Sequence, residues 1–150
     1  MSIFKWTAYN AADTAIASAS LNALGGSGSY ALGAEIDNTT GLYLLGDLVI
    51  TLSSAVSVPA GAPNVIVWIL PAPDGSYPVP PGTTAGAASV SLIAGTIVMV
   101  PSVSTSKMVC RGLVLPPSKF KIQIQNNLGI AFPSTSTGTC LLYRYGEQSS

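Results

Sequence analysis

The chain contains no histidine. That absence removes the commonest general base and metal ligand, and with it every Ser-His or Cys-His nucleophile pair. Its two cysteines, Cys110 and Cys140, are too few for a disulfide scaffold and lack the paired spacing of a zinc site. Both lie in apolar, strand-like runs, Met108-Val109-Cys110 and Cys140-Leu141-Leu142. A free thiol there acts as a small buried hydrophobe; a disulfide between neighbouring strands is the alternative. Charge is equally scarce. Charged residues make up 8% of the chain, against roughly a quarter in an ordinary domain. Between Leu48 and Ser106 the only formal charge is Asp74.

Little charge does not mean a membrane span. Pro59, Pro63, Pro71, Pro73, Pro78, Pro80, Pro81 and Pro101 punctuate the apolar stretch. The longest run, Val65-Ile66-Val67-Trp68-Ile69-Leu70, falls far short of the roughly 20 residues a spanning helix needs. Six basic and six acidic residues give zero net charge, so no electrostatic footprint for nucleic acid or anionic lipid is expected. The nearest approach to a basic cluster, Lys119 with Lys121, reads as one solvated strand face. A neutral surface also avoids repulsion between copies packed at high density. These features point to an assembly component. The N-terminus, Met1-Ser2-Ile3-Phe4-Lys5-Trp6, lacks the unbroken apolar region of a secretory signal, so nothing is expected to direct the chain out of the cytoplasm where it is made. Asn38-Thr39-Thr40 fits a glycosylation sequon but reads as a turn.

At 150 residues one domain is the default, large enough to bury about two-thirds of its unfolded surface. Residues 1–29 read as an N-terminal arm ending in a flexible-linker composition, Gly25-Gly26-Ser27-Gly28-Ser29. Within it, Asp13 to Leu24 suits either a short helix capped by Asp13 or an extended arm. Residues 30–150 read as an antiparallel β-sandwich. Apolar runs alternate there with Pro/Gly/Ser/Asn turns, predicting strands near 42–52, 64–70, 88–100, 107–115, 119–126 and 138–145, with 31–37 as an additional edge strand. In Phe120-Lys121-Ile122-Gln123-Ile124-Gln125 the alternation predicts one core face and one wet face. Val65 to Leu70 is apolar on both faces, which suits a doubly covered strand or one that meets another subunit. Pro73-Asp74-Gly75 opens a proline-rich loop, Pro71 to Gly82, expected to project from the surface.

The residues offer no catalytic constellation, cofactor site or metal site. Glu35 and Asp37 are the only close carboxylate pair, and Asp37 to Gly41 reads as a turn in which Asp37 binds backbone amides. Gly25-Gly26-Ser27-Gly28 follows no strand and lacks the lysine of a phosphate-binding loop. The expectation is a protein that is not an enzyme.

The C-terminal block reads Arg111-Gly112-Leu113-Val114-Leu115-Pro116-Pro117-Ser118-Lys119-Phe120-Lys121, then Gln125-Asn126-Asn127-Leu128-Gly129, then Leu142-Tyr143-Arg144-Tyr145-Gly146-Glu147-Gln148. It resembles a family of small virion proteins of tailed bacteriophages, in which R-G-x-x-L-P-P-G-K-F-K precedes a Q-N/K-N-x-G turn and a closing Y-R-R-Y-N-E. Leu21-Asn22-Ala23-Leu24 with Tyr30 to Asn38, and Ile69-Leu70-Pro71-Ala72-Pro73-Asp74-Gly75-Ser76-Tyr77-Pro78, resemble that family's early segment and its P-x-x-D-G-x-x-Y loop. Ser118 and Gly146 depart from the pattern. The resemblance implies a capsid decoration (cement) protein with a jelly-roll-like sandwich. Such a protein would sit on the outer capsid surface of the virion, bridging major capsid proteins and self-associating as dimers or trimers, with neither nucleic acid nor membrane as partner.

No binding site carries over from the family. The residues' own chemistry nominates Phe4, Trp6 and Tyr9 on the arm and Tyr77 in the loop as partner contacts, since large aromatics anchor interfaces. Tyr143 and Tyr145 are expected to pack in the last strand. Two alternatives stand beside this reading: a phage tail or baseplate component, and a carbohydrate-binding module using Tyr77, Trp68 and Tyr43.

Overall fold

The computed structural model describes residues 4–6, 9, 12–78, 80, 93–134 and 137–149, with the backbone alone for 4–6 and 147–149. The described strands are β1 (Phe4–Trp6), β2 (Asp13–Ile16), β3 (Ser29–Asp37), β4 (Leu45–Ser57), β5 (Asn64–Ala72), β6 (Ile93–Val98), β7 (Ser104–Val114), β8 (Lys119–Asn127), β9 (Thr139–Tyr145) and β10 (Glu147–Ser149). One helical turn, α1 (Ser18–Leu21), joins β2 to β3. The predicted sandwich is present as two four-stranded antiparallel sheets, β2-β9-β4-β7 and β3-β8-β5-β6, with a separate β1-β10 ribbon.

The pairings nest: β5 with β6, β4 with β7, β3 with β8 and β2 with β9. A long antiparallel hairpin rolled so that its outer turns flank its inner ones has this connectivity, which is that of a jelly roll. Alternation along the strands fills the space between the sheets. Leu48, Ile50 and Leu52 of β4, Val65, Val67 and Ile69 of β5, Phe120, Ile122 and Ile124 of β8, and Cys140 and Leu142 of β9 form one core.

The N-terminal segment departs from expectation. Asp13–Ile16 is a strand paired with β9, and only Ser18–Leu21 is helical. Ala15, Ile16, Leu21 and Leu24 belong to the same core as the rest of the sandwich. From Asp13 on, the segment assigned to an arm is therefore part of the body. The reason is that its few apolar residues are spaced to close the edge of the sheet rather than to stripe a helix. The Gly/Ser stretch is likewise pinned: Gly28 N donates to Asn126 O at 2.9 Å and Gly129 N to Gly26 O at 2.9 Å. A Cβ on Gly26 would lie 2.2 Å from Ile130 N, and one on Gly33 1.8 Å from Ala15 O. These glycines permit close backbone approach; they do not supply flexibility.

β5 is covered on both faces within the chain. Val65 and Val67 face the core, while Trp68 and Leu70 on the other face are also buried. Gln123, expected on a wet face, is buried too. β4 starts at Leu45 rather than 42 because Asn38 holds the preceding loop, bonding Tyr43 and Pro116. Of the strand predicted over 88–100, residues 93–98 are strand, and 88–92 lie outside the described residues.

Buried polar side chains fasten the ends. Asn126 donates to Leu24 O and Ile130 O, both at 3.0 Å, and accepts from Leu128 N at 3.0 Å. It thereby joins the β2–β3 and β8–β9 connections. Asn126→Ala strands these buried partners and is expected to cost about 3 kcal/mol of unfolding free energy. Urea denaturation with an unchanged m-value checks this; a loss under about 1 kcal/mol would mean that water replaces the amide.

Candidate interaction surfaces

On β4 the core-facing residues alternate with Asp47, Val49 and Thr51, so these lie on the outer face of their sheet. Asp47 is only 8% exposed, and its carboxylate accepts three hydrogen bonds. The donors are Tyr9 Oη at 2.9 Å to Oδ2, Gly112 N at 2.9 Å to Oδ1 and Tyr145 Oη at 3.2 Å to Oδ1. Tyr9 stands edge-on to Tyr143 and Tyr145, with ring centroids 5.9 and 5.2 Å away. The bond to Asp47 and that carboxylate's charge raise the Tyr9 pKa. Tyr143 and Tyr145 lie in the last strand as expected and point out of the sheet, packing against Tyr9, while Leu142 and Arg144 take the inward positions. Lys107, Val109 and Arg111 complete a groove of about 240 Å³ on this face.

The opposite sheet carries the second nominated residue, Tyr77. Gly75 adopts φ +84 and Asp74 Oδ1 accepts from Ser76 N at 2.9 Å, closing the turn predicted at 73–75. The next residues bring the Tyr77 side chain against Glu35 and Lys121. Tyr77 donates to Glu35 Oε2 at 2.5 Å, and Lys121 Nζ sits 4.3 Å from its ring centroid. Residues 79, 81 and 82 of the loop lie outside the described residues. Lys119 Nζ pairs with Glu35 Oε1 at 2.8 Å, an exposed pair of small net worth. Hydrogen bonds from Lys119 and then Tyr77 lower the Glu35 pKa. Asp37 forms the expected turn, accepting from Thr39 N at 2.8 Å and Thr39 Oγ1 at 2.6 Å. Both carboxylates of the pair thus have structural partners. Phe4 and Trp6 lie in the ribbon with β10, and their side chains fall outside the described residues.

Sequence reasoning missed a third surface. At the end of the sandwich where β5 begins, residues 58–63 and 98–103 meet and contain no charged residue. Three backbone bonds join them: Met99 N to Pro63 O at 3.0 Å, Ser102 N to Val58 O at 2.8 Å and Val58 N to Val103 O at 3.5 Å. Val98, Val100 and Val103 are 75, 65 and 50% exposed, and Pro59, Ala60, Ala62 and Pro101 are exposed beside them. Pro101 with Ser102 at φ +65 supplies the residue pattern of a type II turn. The signal was the near-absence of charge from Leu48 to Ser106; the pairing of the two segments was needed to turn it into a patch.

The remaining polar chemistry is internal. Arg144 Nε lies 2.7 Å from Asp13 Oδ2, an ion-pair contact rather than an aligned hydrogen bond, while Nη1 donates to Asp37 O at 2.7 Å. Cys110 lies beside Leu48 on one flank of β4 and Cys140 beside Ile50 on the other. Two strand spacings of about 4.8 Å put them beyond disulfide reach, and both are free and buried. Burial pushes the Cys140 thiol up to about 12. Among the described residues no group of His, Cys, Asp and Glu could hold a metal ion, and no helix is long and apolar enough to cross a membrane. Trp68 is buried, Tyr77 is occupied by Lys121 and Glu35, and Tyr43 lies under Arg144 at 5.1 Å. The ring set expected for a carbohydrate module is therefore dispersed. Comparison with family models, curated proteins and solved structures finds no match for this chain.

Desolvation first, and the Glu35 bond second, push the Tyr77 phenol from 10.0 up to about 12. The raised value means that the folded state favours the neutral phenol. The resulting stabilisation is complete below pH 10 and disappears as pH rises through about 12. Absorbance titration at 295 nm, with Tyr77→Phe as the difference, is expected to find this ionisation near 12 and to find it lowered in Glu35→Gln. An ordinary value for Tyr77 would mean the loop does not dock.

Proposed function

We propose that this chain is a structural protein of a tailed-phage virion, bound to the outside of the icosahedral capsid and stabilising contacts between major capsid proteins. The observation that carries this reading is the charge-free tip at residues 58–63 and 98–103 with its exposed valines. Contiguous exposed apolar surface marks an interaction site, and here the backbone holding it is already hydrogen-bonded, so little ordering entropy opposes docking. A membrane is a poorer match, because the tip carries none of the Lys, Arg, Trp or Tyr that anchor a surface loop to lipid. The resemblance in the Arg111–Lys121 and Tyr143–Gln148 segments supports the same assignment. The jelly-roll connectivity, an architecture also used by lectins and cupins, is compatible with it.

The physical logic of a cement follows. A protein that binds the assembled lattice and not free subunits stabilises the lattice by mass action. A rigid sandwich with a neutral surface can do so at high copy number without repulsion between copies. Tyr77 already has partners within the chain, Glu35 and Lys121, so the tip is the first surface to test.

Quantitative mass spectrometry of purified particles is expected to give a copy number equal to, or a simple fraction of, that of the major capsid protein. A few copies per particle would move the protein to the tail or baseplate, and total absence would end the virion reading. The double variant Val98→Asp/Val100→Asp alters exposed positions, so its folding stability is expected to change by less than about 1 kcal/mol. Its occupancy on particles is expected to fall more than about tenfold, a loss of ~1.4 kcal/mol or more. Unchanged occupancy would clear the tip of any role.

A further inference from the structure

We infer that the groove on the outer face of the β2-β9-β4-β7 sheet is a binding site for an acidic saccharide, one sugar ring seated on the Val49 and Val109 floor against the Tyr9 and Tyr143 pair, with its carboxylate on Arg111. This goes beyond the docking proposed above, since the groove and the tip share no residue.

Three observations carry it. The first is preorganisation. Tyr9 is 59% exposed, yet its hydroxyl is tied to Asp47 at 2.9 Å and its ring is braced edge-on by Tyr143 at 5.9 Å. An exposed aromatic held in place before any ligand arrives loses little rotamer entropy on binding. The floor between these rings and β7 is Val49 and Val109, an apolar base for the C–H face of a sugar.

The second is the distribution of positive charge. Lys119 is paired with Glu35, Arg144 with Asp13, and Lys121 lies over the Tyr77 ring. Lys107 and Arg111 are exposed and lie within ion-pair distance of no described carboxylate, and both line this groove. Asp47 has little acceptor capacity left for the ligand's hydroxyls, because its carboxylate already holds three donors, two on Oδ1 and one on Oδ2. Its negative charge lies beneath the rings, so the accessible charge at the rim is cationic and complements an anion.

The third is size. About 240 Å³ is below the 300–1,000 Å³ of sites for drug-sized ligands, and suits one sugar ring. Two cations flanking a buried carboxylate are too few for a nucleic-acid backbone. An acidic peptide side chain would engage Arg111 but leave the tyrosine faces and the valine floor uncovered. Arg with a carboxylate makes the strongest of the available contacts, a bidentate pair, which places the acid group at the β7 side of the groove.

The test is a ¹H–¹⁵N titration of the full chain with trigalacturonate, maltotriose and a hexaglutamate peptide. Trigalacturonate is expected to displace the amides of Val49, Val109 and Gly112 saturably, with Kd on the order of 1 mM or tighter, and maltotriose to bind several-fold more weakly. Arg111→Gln is expected to weaken trigalacturonate about tenfold, Tyr143→Leu to weaken it while keeping apolar packing, and Lys121→Gln on the other sheet to leave it unchanged. Should Tyr143→Leu misfold, Arg111→Gln alone still decides. Equal binding of maltotriose would overturn the role of the cations. Tighter binding of hexaglutamate would make the groove a peptide dock, and no displacement by any probe would remove the site.

Discussion

The structure depends on the nesting of antiparallel pairs around β4 and β5. β5 lies between β8 and β6, and β4 between β9 and β7. Each sheet thus has a central pair whose inward side chains meet those of the other sheet, and the outer strands β2 and β3 can only be placed once that pair exists. The contact of Gly33 with the Ala15 carbonyl marks where closure of one edge is tightest. The same rolling gives most contacts a large sequence separation, the topology expected to fold slowly.

Hydrophobic burial supplies the driving force, but a few buried amides and one guanidinium determine how the connections lie. Asn38 fastens the β3–β4 loop to Pro116, Asn126 joins residues 24 and 130, and Arg144 ties β9 to Asp13 and to the Asp37 carbonyl. Each satisfies backbone groups that would otherwise be buried without partners, a requirement that burial alone does not meet. The sequon at Asn38 is thereby explained as structure, since its side chain is wholly buried.

The few charges are distributed unevenly over the surface. One outer face holds Asp47 beneath three tyrosines with Arg111 and Lys107 beside them, and the other holds Glu35, Lys119, Lys121 and Tyr77. The tip has none. This division is what makes a docking role for the tip and a ligand role for the tyrosine groove physically separable. The tip excludes water at little desolvation cost, whereas the groove offers directed charge and ring faces.

Alternation in Phe120–Gln125, the turn residues at 73–75 and 126–129, and the apolar runs around β4, β5, β7 and β9 were enough to establish an all-β sandwich and most of its strands, because side-chain period and turn chemistry are local properties. The burial of Cys110 and Cys140 and the structural use of Asp37 were legible for the same reason, whereas the unpaired state of the two thiols follows from their places on opposite flanks of β4. The strand assignment of Asp13–Ile16, the docking of Tyr77, the outward tyrosines around Asp47 and the uncharged tip were not. Local pattern favoured a helix or arm at residue 13 because Ala and Ser carry little periodic signal; the bonds to β9 override that preference. What the sequence determined by itself is therefore the class of fold and the poverty of its charge. Strand order, and which distant residues share a surface, were decided by tertiary structure, since nested pairing joins segments as far apart as Tyr9 and Tyr145 through contacts that no local pattern encodes.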